Sequence, residues 1–315
     1  VSLYLGVDIG GTNVKIAAVS AAGRVLARGV IETRAGEGPA PAFRRIHDAA
    51  RTLVGKGRLA GVGIGCAGLL DARSRRLLAS PNLPDWQGAA LERIARVHFG
   101  VPILVENDAT CAAFGESLAR GRDGRDLVMI TLGTGVGGGL VSDGRVVRGA
   151  SGFAGEVGHM IVDPNGPRCR CGARGCLEAY AGAYGIARTA RNALRRRGKR
   201  RLAVGGRLDA RAVFEAARHG DPAAREAVRV TGEHLGTAIA SLLNLLNPSM
   251  VVIGGGIAAS FAALSPHVRR AVERSAFTAT ARAARIETSR LGNDAAVVGA
   301  AMLVHGARPR RRPAG

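Results

Sequence analysis

Four candidate metal ligands lie close together in the order H-x9-C-x-C-x4-C: His159, Cys169, Cys171 and Cys176. No other stretch constrains the fold as much, because side chains from one loop must converge on a single point. Three thiolates and one imidazole form a common tetrahedral zinc set. Gly166, Gly172 and Gly175 stand among the ligands and permit the tight backbone that convergence needs. The alternatives are small buried hydrophobes or a disulfide. C-x-C is a poor disulfide spacing, and Arg168, Arg170 and Arg174 make the segment polar. Five cysteines with three clustered point to a reducing compartment and a metal site. Glu156 and Glu178 flank the cluster. A structural zinc site does not require them, so they are expected to belong to a polar pocket.

A chain of 315 residues holds two domains or one large α/β unit, with a substantial core. Strands over 3–9, 14–19 and 24–31, joined by glycine-containing turns, read as an antiparallel meander. A helix over 39–55, a buried strand over 60–66 and a short helix over 91–98 follow, then a strand over 101–105 and a helix over 109–119. The opening pattern then recurs, with a strand over 127–132, a glycine-rich turn over 133–138 and a returning strand over 139–142. Helices over 183–197, 210–218, 222–246, 261–274 and 295–304 alternate with strands over 250–253 and 285–288. Residues 307–315 read as a disordered basic tail. Two meanders, each followed by helices, indicate related α/β domains around a cleft rather than a simple parallel dinucleotide-binding sheet.

The formal charge of +21 favours anionic partners such as phosphates. Much of it lies in two runs, 195–201 and 308–312, and such runs are usually solvated. Aromatic residues make up only 3%, which argues against stacking on single-stranded nucleic acid. The N-terminus lacks the pattern of a signal peptide, and no apolar run spans a bilayer. The expectation is a soluble, cytoplasmic protein.

Four motifs carry chemistry. In Asp8-Ile9-Gly10-Gly11-Thr12-Asn13-Val14-Lys15, the turn's N–H groups suit phosphate oxygens, Lys15 adds charge, and Asp8 can hold Mg²⁺ through water. A plain hairpin turn is the competing reading. Gly133-Thr134-Gly135-Val136-Gly137-Gly138 matches G-x-G-x-x-G, but a strand rather than a helix follows, so a phosphate-binding hairpin replaces the dinucleotide reading. Glu106-Asn107-Asp108 lies where a strand meets a helix, and either caps the helix or presents an ionised carboxylate at its N-terminus. Gly254-Gly255-Gly256 after a buried strand either turns the chain or admits a flat group such as adenine.

Together these residues resemble the ROK family of sugar kinases and repressors, within the hexokinase and actin-like superfamily. The resemblance covers nearly the whole chain and is closest to bacterial glucokinases. It implies an α/β, actin-like/hexokinase-type (ribonuclease H-like) fold with duplicated domains around a central cleft. The small domain would comprise residues 1–110 plus 295–306, and the large one 111–294 with the zinc loop. By resemblance, Asp108 is the general base for a sugar 6-hydroxyl. Gly68, Asn82, Asn107, Asp108, Glu156, His159 and Glu178 line the sugar pocket. Gly10, Gly11, Thr12, Gly133, Thr134 and Gly135 hold the phosphates of ATP with Mg²⁺, while Gly254 and Gly255 border the nucleotide. His159, Cys169, Cys171 and Cys176 bind structural Zn²⁺. The partners implied are glucose or a related hexose and ATP, with no specific nucleic acid and no membrane, in a homo-oligomer, since relatives are often dimers or tetramers. Family repressors carry an N-terminal helix-turn-helix, whereas the first motif of this chain begins at Asp8. Many relatives have Pro-Gly where this chain has Ala67-Gly68, which leaves the backbone there less constrained.

Overall fold

The computed structural model describes residues 2–202 and 207–307. The expected disordered tail lies outside the described residues from 308 onward.

The chain opens with β1 (Ser2–Ile9), β2 (Asn13–Ser20), β3 (Val25–Glu32), α1 (Pro39–Val54) and β4 (Arg58–Cys66). A small hairpin, β5 (Leu69–Leu70) and β6 (Leu77–Ala79), precedes α2 (Leu91–Arg96), β7 (Ile103–Asn107) and α3 (Asp108–Arg120). Next come β8 (Leu127–Leu132), β9 (Val136–Ser142), β10 (Arg145–Val146), α4 (Glu178–Ala181), α5 (Ala183–Arg196), α6 (Ala210–Arg218) and α7 (Pro222–Leu246). The last elements are β11 (Met250–Gly254), α8 (Phe261–Ser275), α9 (Thr278–Ala283), β12 (Arg285–Thr288) and α10 (Ala295–Gly306). One sheet has the order β3-β2-β1-β4-β7 and the other β10-β9-β8-β11-β12. In the first, an antiparallel meander is extended by parallel β4 and β7. In the second, β9 and β10 are antiparallel, while β11 runs parallel to β8 and β12. The same order twice is the duplicated plan that the repeated pattern indicated.

Two expectations need correction. The glycine-rich turn is shorter than 133–138, because β9 already starts at Val136. The glycines that follow belong to a strand. A Cβ on Gly139 would lie 2.5 Å from the Ala109 carbonyl oxygen, so that glycine serves close packing of α3 rather than turning the chain. The domain division also differs. One compact unit comprises the described parts of Val1–Arg125, Gly139–Gly155 and Asn293–Gly315, and the other Asp126–Gly138 and Glu156–Gly292. Residues 111–125 and 139–155 therefore join the first unit. The reason is backbone contact between α3 and α10, where a Cβ on Gly299 would fall 1.7 Å from the Cys111 carbonyl oxygen.

In the first unit, Phe43 and Ile46 of α1, Trp86 and Leu91 bury one face of the sheet. The opposite face is covered by α10, whose Val297, Ala301 and Val304 pack against Tyr4, Ala17 and Val19. α10 is buried on nearly every side, as its almost wholly apolar sequence requires. In the second unit, the buried strands β8 and β11 accompany the long α7, which has Asp221 as its N-cap and Pro222 at its first position. Asp221 Oδ1 accepts the Ala223 and Ala224 N–H groups at 2.9 and 3.0 Å. The basic run 195–201 is exposed, and Arg196 and Arg197 both pair with Glu226. Among the described residues no helix is long and apolar enough to cross a membrane.

Candidate active site

In the first unit β1, β4 and β7 are parallel, so their carboxyl ends share one edge. Register aligns Asp8 with Gly65 and Gly65 with Glu106, and likewise Ile9, Cys66 and Asn107. Asp8 and the Glu106-Asn107-Asp108 triplet therefore meet at one edge of the sheet. Burial pushes the Cys66 thiol up, and the charges of Asp108 and Asp8 add to that effect.

Asp8 faces Lys15 across the β1–β2 pair, with Nζ 3.6 Å from Oδ2. Burial raises its pKa, and Lys15 opposes the rise. The unfolded chain ionises Asp8 near the ordinary value of 3.8, while the folded chain holds the proton to higher pH. The stabilising contribution is present below the ordinary value and is lost as pH climbs through the raised one. Asp8→Asn is therefore expected to raise the melting temperature of the ligand-free protein, with a gain that grows from pH 4 towards neutrality. Melting curves across pH check this. A lower melting temperature at neutral pH would contradict the buried-carboxylate argument.

The turn after Asp8 is closed by the Gly10 N–H to the Asn13 carbonyl at 3.1 Å. Thr33, fully buried, donates its hydroxyl to the Gly10 carbonyl at 2.6 Å and its N–H to the Thr12 carbonyl at 2.9 Å. The sequence reading missed Thr33, which carries no local signal. A Cβ on Gly11 would lie 2.8 Å from the Asn82 carbonyl oxygen, so Asn82 sits against this turn.

Asn107, not Asp108, caps α3: its Oδ1 accepts the Thr110 N–H at 3.0 Å. Its Nδ2 donates to the Gly68 carbonyl at 3.2 Å. Asp108 is the first helical residue, and its Oδ1 accepts the Ala109 N–H at 2.9 Å. Gly68 has φ +127°, and a Cβ there would meet the Ala79 carbonyl oxygen at 2.4 Å. Its backbone is thus held by its neighbours, although Ala67 rather than a proline precedes it.

In the second unit Glu178 opens α4 and turns towards the glycine turn. Its Oε2 accepts the Val136 N–H at 3.1 Å, and a Cβ on Gly135 would collide with that oxygen at 2.3 Å. Gly133 donates to the Gly135 carbonyl at 2.9 Å and accepts from the Ala183 N–H at 2.9 Å, so turn and helix are joined. Tyr184, absent from the sequence reading, donates to Glu178 Oε1 at 3.3 Å. Burial raises the pKa of Glu156; His159 opposes this and Glu178 adds to it, so all three share one cluster. Gly255 has φ +82° and backs onto the Leu132 carbonyl, whereas Gly254 is buried under Met129. A cavity of about 510 Å³ next to them is lined by Phe214, Arg218, Gly256, Ile257 and Ser260 among others. Gly256 rather than Gly254 or Gly255 reaches its wall.

The ligand atoms of His159, Cys169, Cys171 and Cys176 all lie within 4.8 Å of one another. Cys171 Sγ is 3.6 Å from Cys176 Sγ, and Cys169 Sγ is 3.9 Å from His159 Nδ1. Tetrahedral Zn–S and Zn–N bonds imply separations of about 3.5–3.8 Å, so the residues fit that ion. The sulfur separation is also far beyond a disulfide bond. Burial, and then the Cys171 and Cys169 thiols, push the Cys176 thiol up to about 12. A divalent cation among the ligands would remove that penalty. His159 turns Nδ1 to the sulfurs and Nε2 towards Glu156, 3.8 Å away. The group can thus hold a structural metal and still present a ring nitrogen to a ligand.

A duplicated α/β core, two glycine turns and carboxylates at strand and helix ends define the hexokinase and actin-like class of phosphotransferases. Within that class the chain belongs to the ROK family, whose model matches residues 4–307. It is 38% identical to a glucokinase of Halalkalibacterium halodurans, over 96% of this chain and 94% of that protein. It is 34% identical to a glucokinase of Thermotoga maritima, over 95% and 96%. The solved ROK family glucokinase of Streptomyces griseus, in complex with glucose and AMPPNP, is 32% identical with a TM-score of 0.80, over 96% of this chain and 99% of that one.

Proposed function

We propose that this protein is an ATP-dependent glucokinase that moves the γ-phosphoryl group of ATP to the 6-hydroxyl of glucose. The observation that carries the reading is the seat of Asp108. It is the first residue of the 13-residue α3, at the sheet edge that also holds Asp8, with capping left to Asn107. The helix N-terminus favours negative charge there, where the carboxylate can take the hydroxyl proton as the sugar oxygen attacks phosphorus. Near full-length similarity to glucokinases supports glucose as the acceptor.

The remaining residues bind and orient. Glu156, His159 Nε2 and Glu178 would hold sugar hydroxyls, and so would Asn82, Asn107 and the Gly68 backbone. The turns at Gly10–Thr12 and Gly133–Gly135 would offer N–H groups to the phosphates, with Lys15 as a point charge. Gly254 and Gly255, with the neighbouring cavity, would border the nucleotide. Asp8 would orient water on Mg²⁺, and that ion supplies charge neutralisation on the phosphates when bound. Zinc in the Cys₃His set would be structural, since four protein ligands leave no open position.

A coupled ADP-release assay over glucose, mannose, fructose and N-acetylmannosamine, with ATP or polyphosphate as donor, tests this. The highest kcat/KM is expected with glucose and ATP. A different preferred pair would reassign the substrates within the family, and no turnover with any hexose would remove the kinase reading.

A further inference from the structure

Glu106 is almost fully buried, with a side chain 5% exposed, and stands two residues before Asp108. Its Oε2 accepts from Arg148 Nε at 2.6 Å, and its Oε1 accepts the Asn107 N–H at 3.1 Å. Both oxygens are therefore occupied: one by a guanidinium, the other by the backbone of the residue that caps α3. The surroundings are negative. Besides its burial, the Cys111 thiol feels the carboxylates of Glu106, Asp108 and Asp8, with Arg148 as the opposing charge.

Arg148 also closes a loop. Its carbonyl accepts the Ala154 N–H at 3.0 Å. Within that loop the Ser151 carbonyl accepts the Ala72 N–H at 3.0 Å, and Gly152 packs on the Leu70 carbonyl. The chain leaves the loop directly into Gly155 and Glu156.

We propose that Arg148 is a positioning residue for phosphoryl transfer, acting through Glu106 on the Asn107–Asp108 end of β7. It pairs with the buried Glu106 carboxylate, which in turn holds the Asn107 N–H and fixes where Asp108 begins the helix. This rests on the reading of Asp108 as the proton acceptor. The pair is asymmetric, and the asymmetry makes it testable. Glu106 is buried, whereas the Arg148 side chain is 34% exposed. Removing Arg148 leaves a buried carboxylate without its partner, and the strain falls on the backbone that Glu106 holds. Replacing Glu106 by Gln leaves Arg148 free to solvate and keeps an amide oxygen for the Asn107 N–H.

The experiment is a double-mutant cycle in the full chain, with kcat and KM for glucose and ATP and the melting temperature of each protein. Arg148→Met should lower kcat about 10–100-fold with an unchanged KM for ATP. Glu106→Gln should lower kcat less than Arg148→Met does, and Glu106→Gln with Arg148→Met should recover to the level of Glu106→Gln alone. A double variant as impaired as Arg148→Met would assign Arg148 a packing role and overturn the proposal. Wild-type kcat in Arg148→Met, beside an inactive Asp108→Asn, would overturn it too while leaving the kinase reading intact. Should the wild type phosphorylate no hexose, the kinase reading fails, and the positioning role of Arg148 fails with it. The melting temperatures then test the Glu106 contact alone: Arg148→Met must melt lowest and the double variant above it.

Discussion

Asp108→Asn is expected to lower kcat for glucose phosphorylation by about 10²–10⁴-fold, the usual contribution of a positioned general base. Glucose affinity should change little. The amide keeps the shape of the carboxylate and one oxygen to accept the Ala109 N–H, the bond that seats the side chain. The cap on α3 is untouched, because Asn107 supplies it. What disappears is the proposed proton acceptor. Titration calorimetry with glucose, beside the coupled ADP assay, separates binding from chemistry. Retention of more than about a tenth of wild-type turnover would remove Asp108 from the role of base. Loss of glucose binding in step with turnover would make it a sugar ligand instead.

The second large effect is expected from the Cys₃His set. Cys176→Ala should abolish a stoichiometric zinc signal in metal analysis, lower the melting temperature and raise KM for glucose at least about tenfold. Cys176 is buried, and its strand-like contacts join it to Ile161, while Leu177 N–H bonds to the Met160 carbonyl at 2.9 Å. Its release would loosen the segment that carries His159 on one side and Glu178 on the other. Cys66→Ala and Cys111→Ala are the controls. Both thiols are buried in apolar clusters outside the metal set, so zinc content should survive either change. Full retention of glucose affinity in zinc-free Cys176→Ala would show that the metal does not set the sugar pocket.

The legible part of the site was what sequence spacing encodes. The Cys₃His residues lie close together in sequence, and their four candidate ligand atoms cluster as the spacing implied. The switch from strand to helix at residues 106–108 was visible, but the triplet's division of labour was not. Asx residues are good caps at any such junction, and only the hydrogen bond to Thr110 assigns the cap to Asn107. Thr33, Tyr184 and Arg148 were not visible because each meets its partner through the fold, at separations of 23, 6 and 42 residues. The glycines of 133–139 misled for a related reason. Gly135 makes room for Glu178 and Gly139 for α3, and neither need leaves a local mark.

By itself the sequence determined the order of the longer elements, the repeated strand–turn–strand plan, the Cys₃His cluster and the carboxylates available for chemistry. These are properties of neighbours along the chain, where periodicity and spacing act directly. Tertiary structure alone decided which elements form each compact unit, since that rests on backbone-close contacts such as Gly299 on Cys111. It also decided the state of each carboxylate. Glu106 faces a guanidinium, Asp8 a lysine and Glu178 a backbone N–H. Charge interactions weaken with distance and strengthen with burial, and neither distance nor burial exists until the chain has folded.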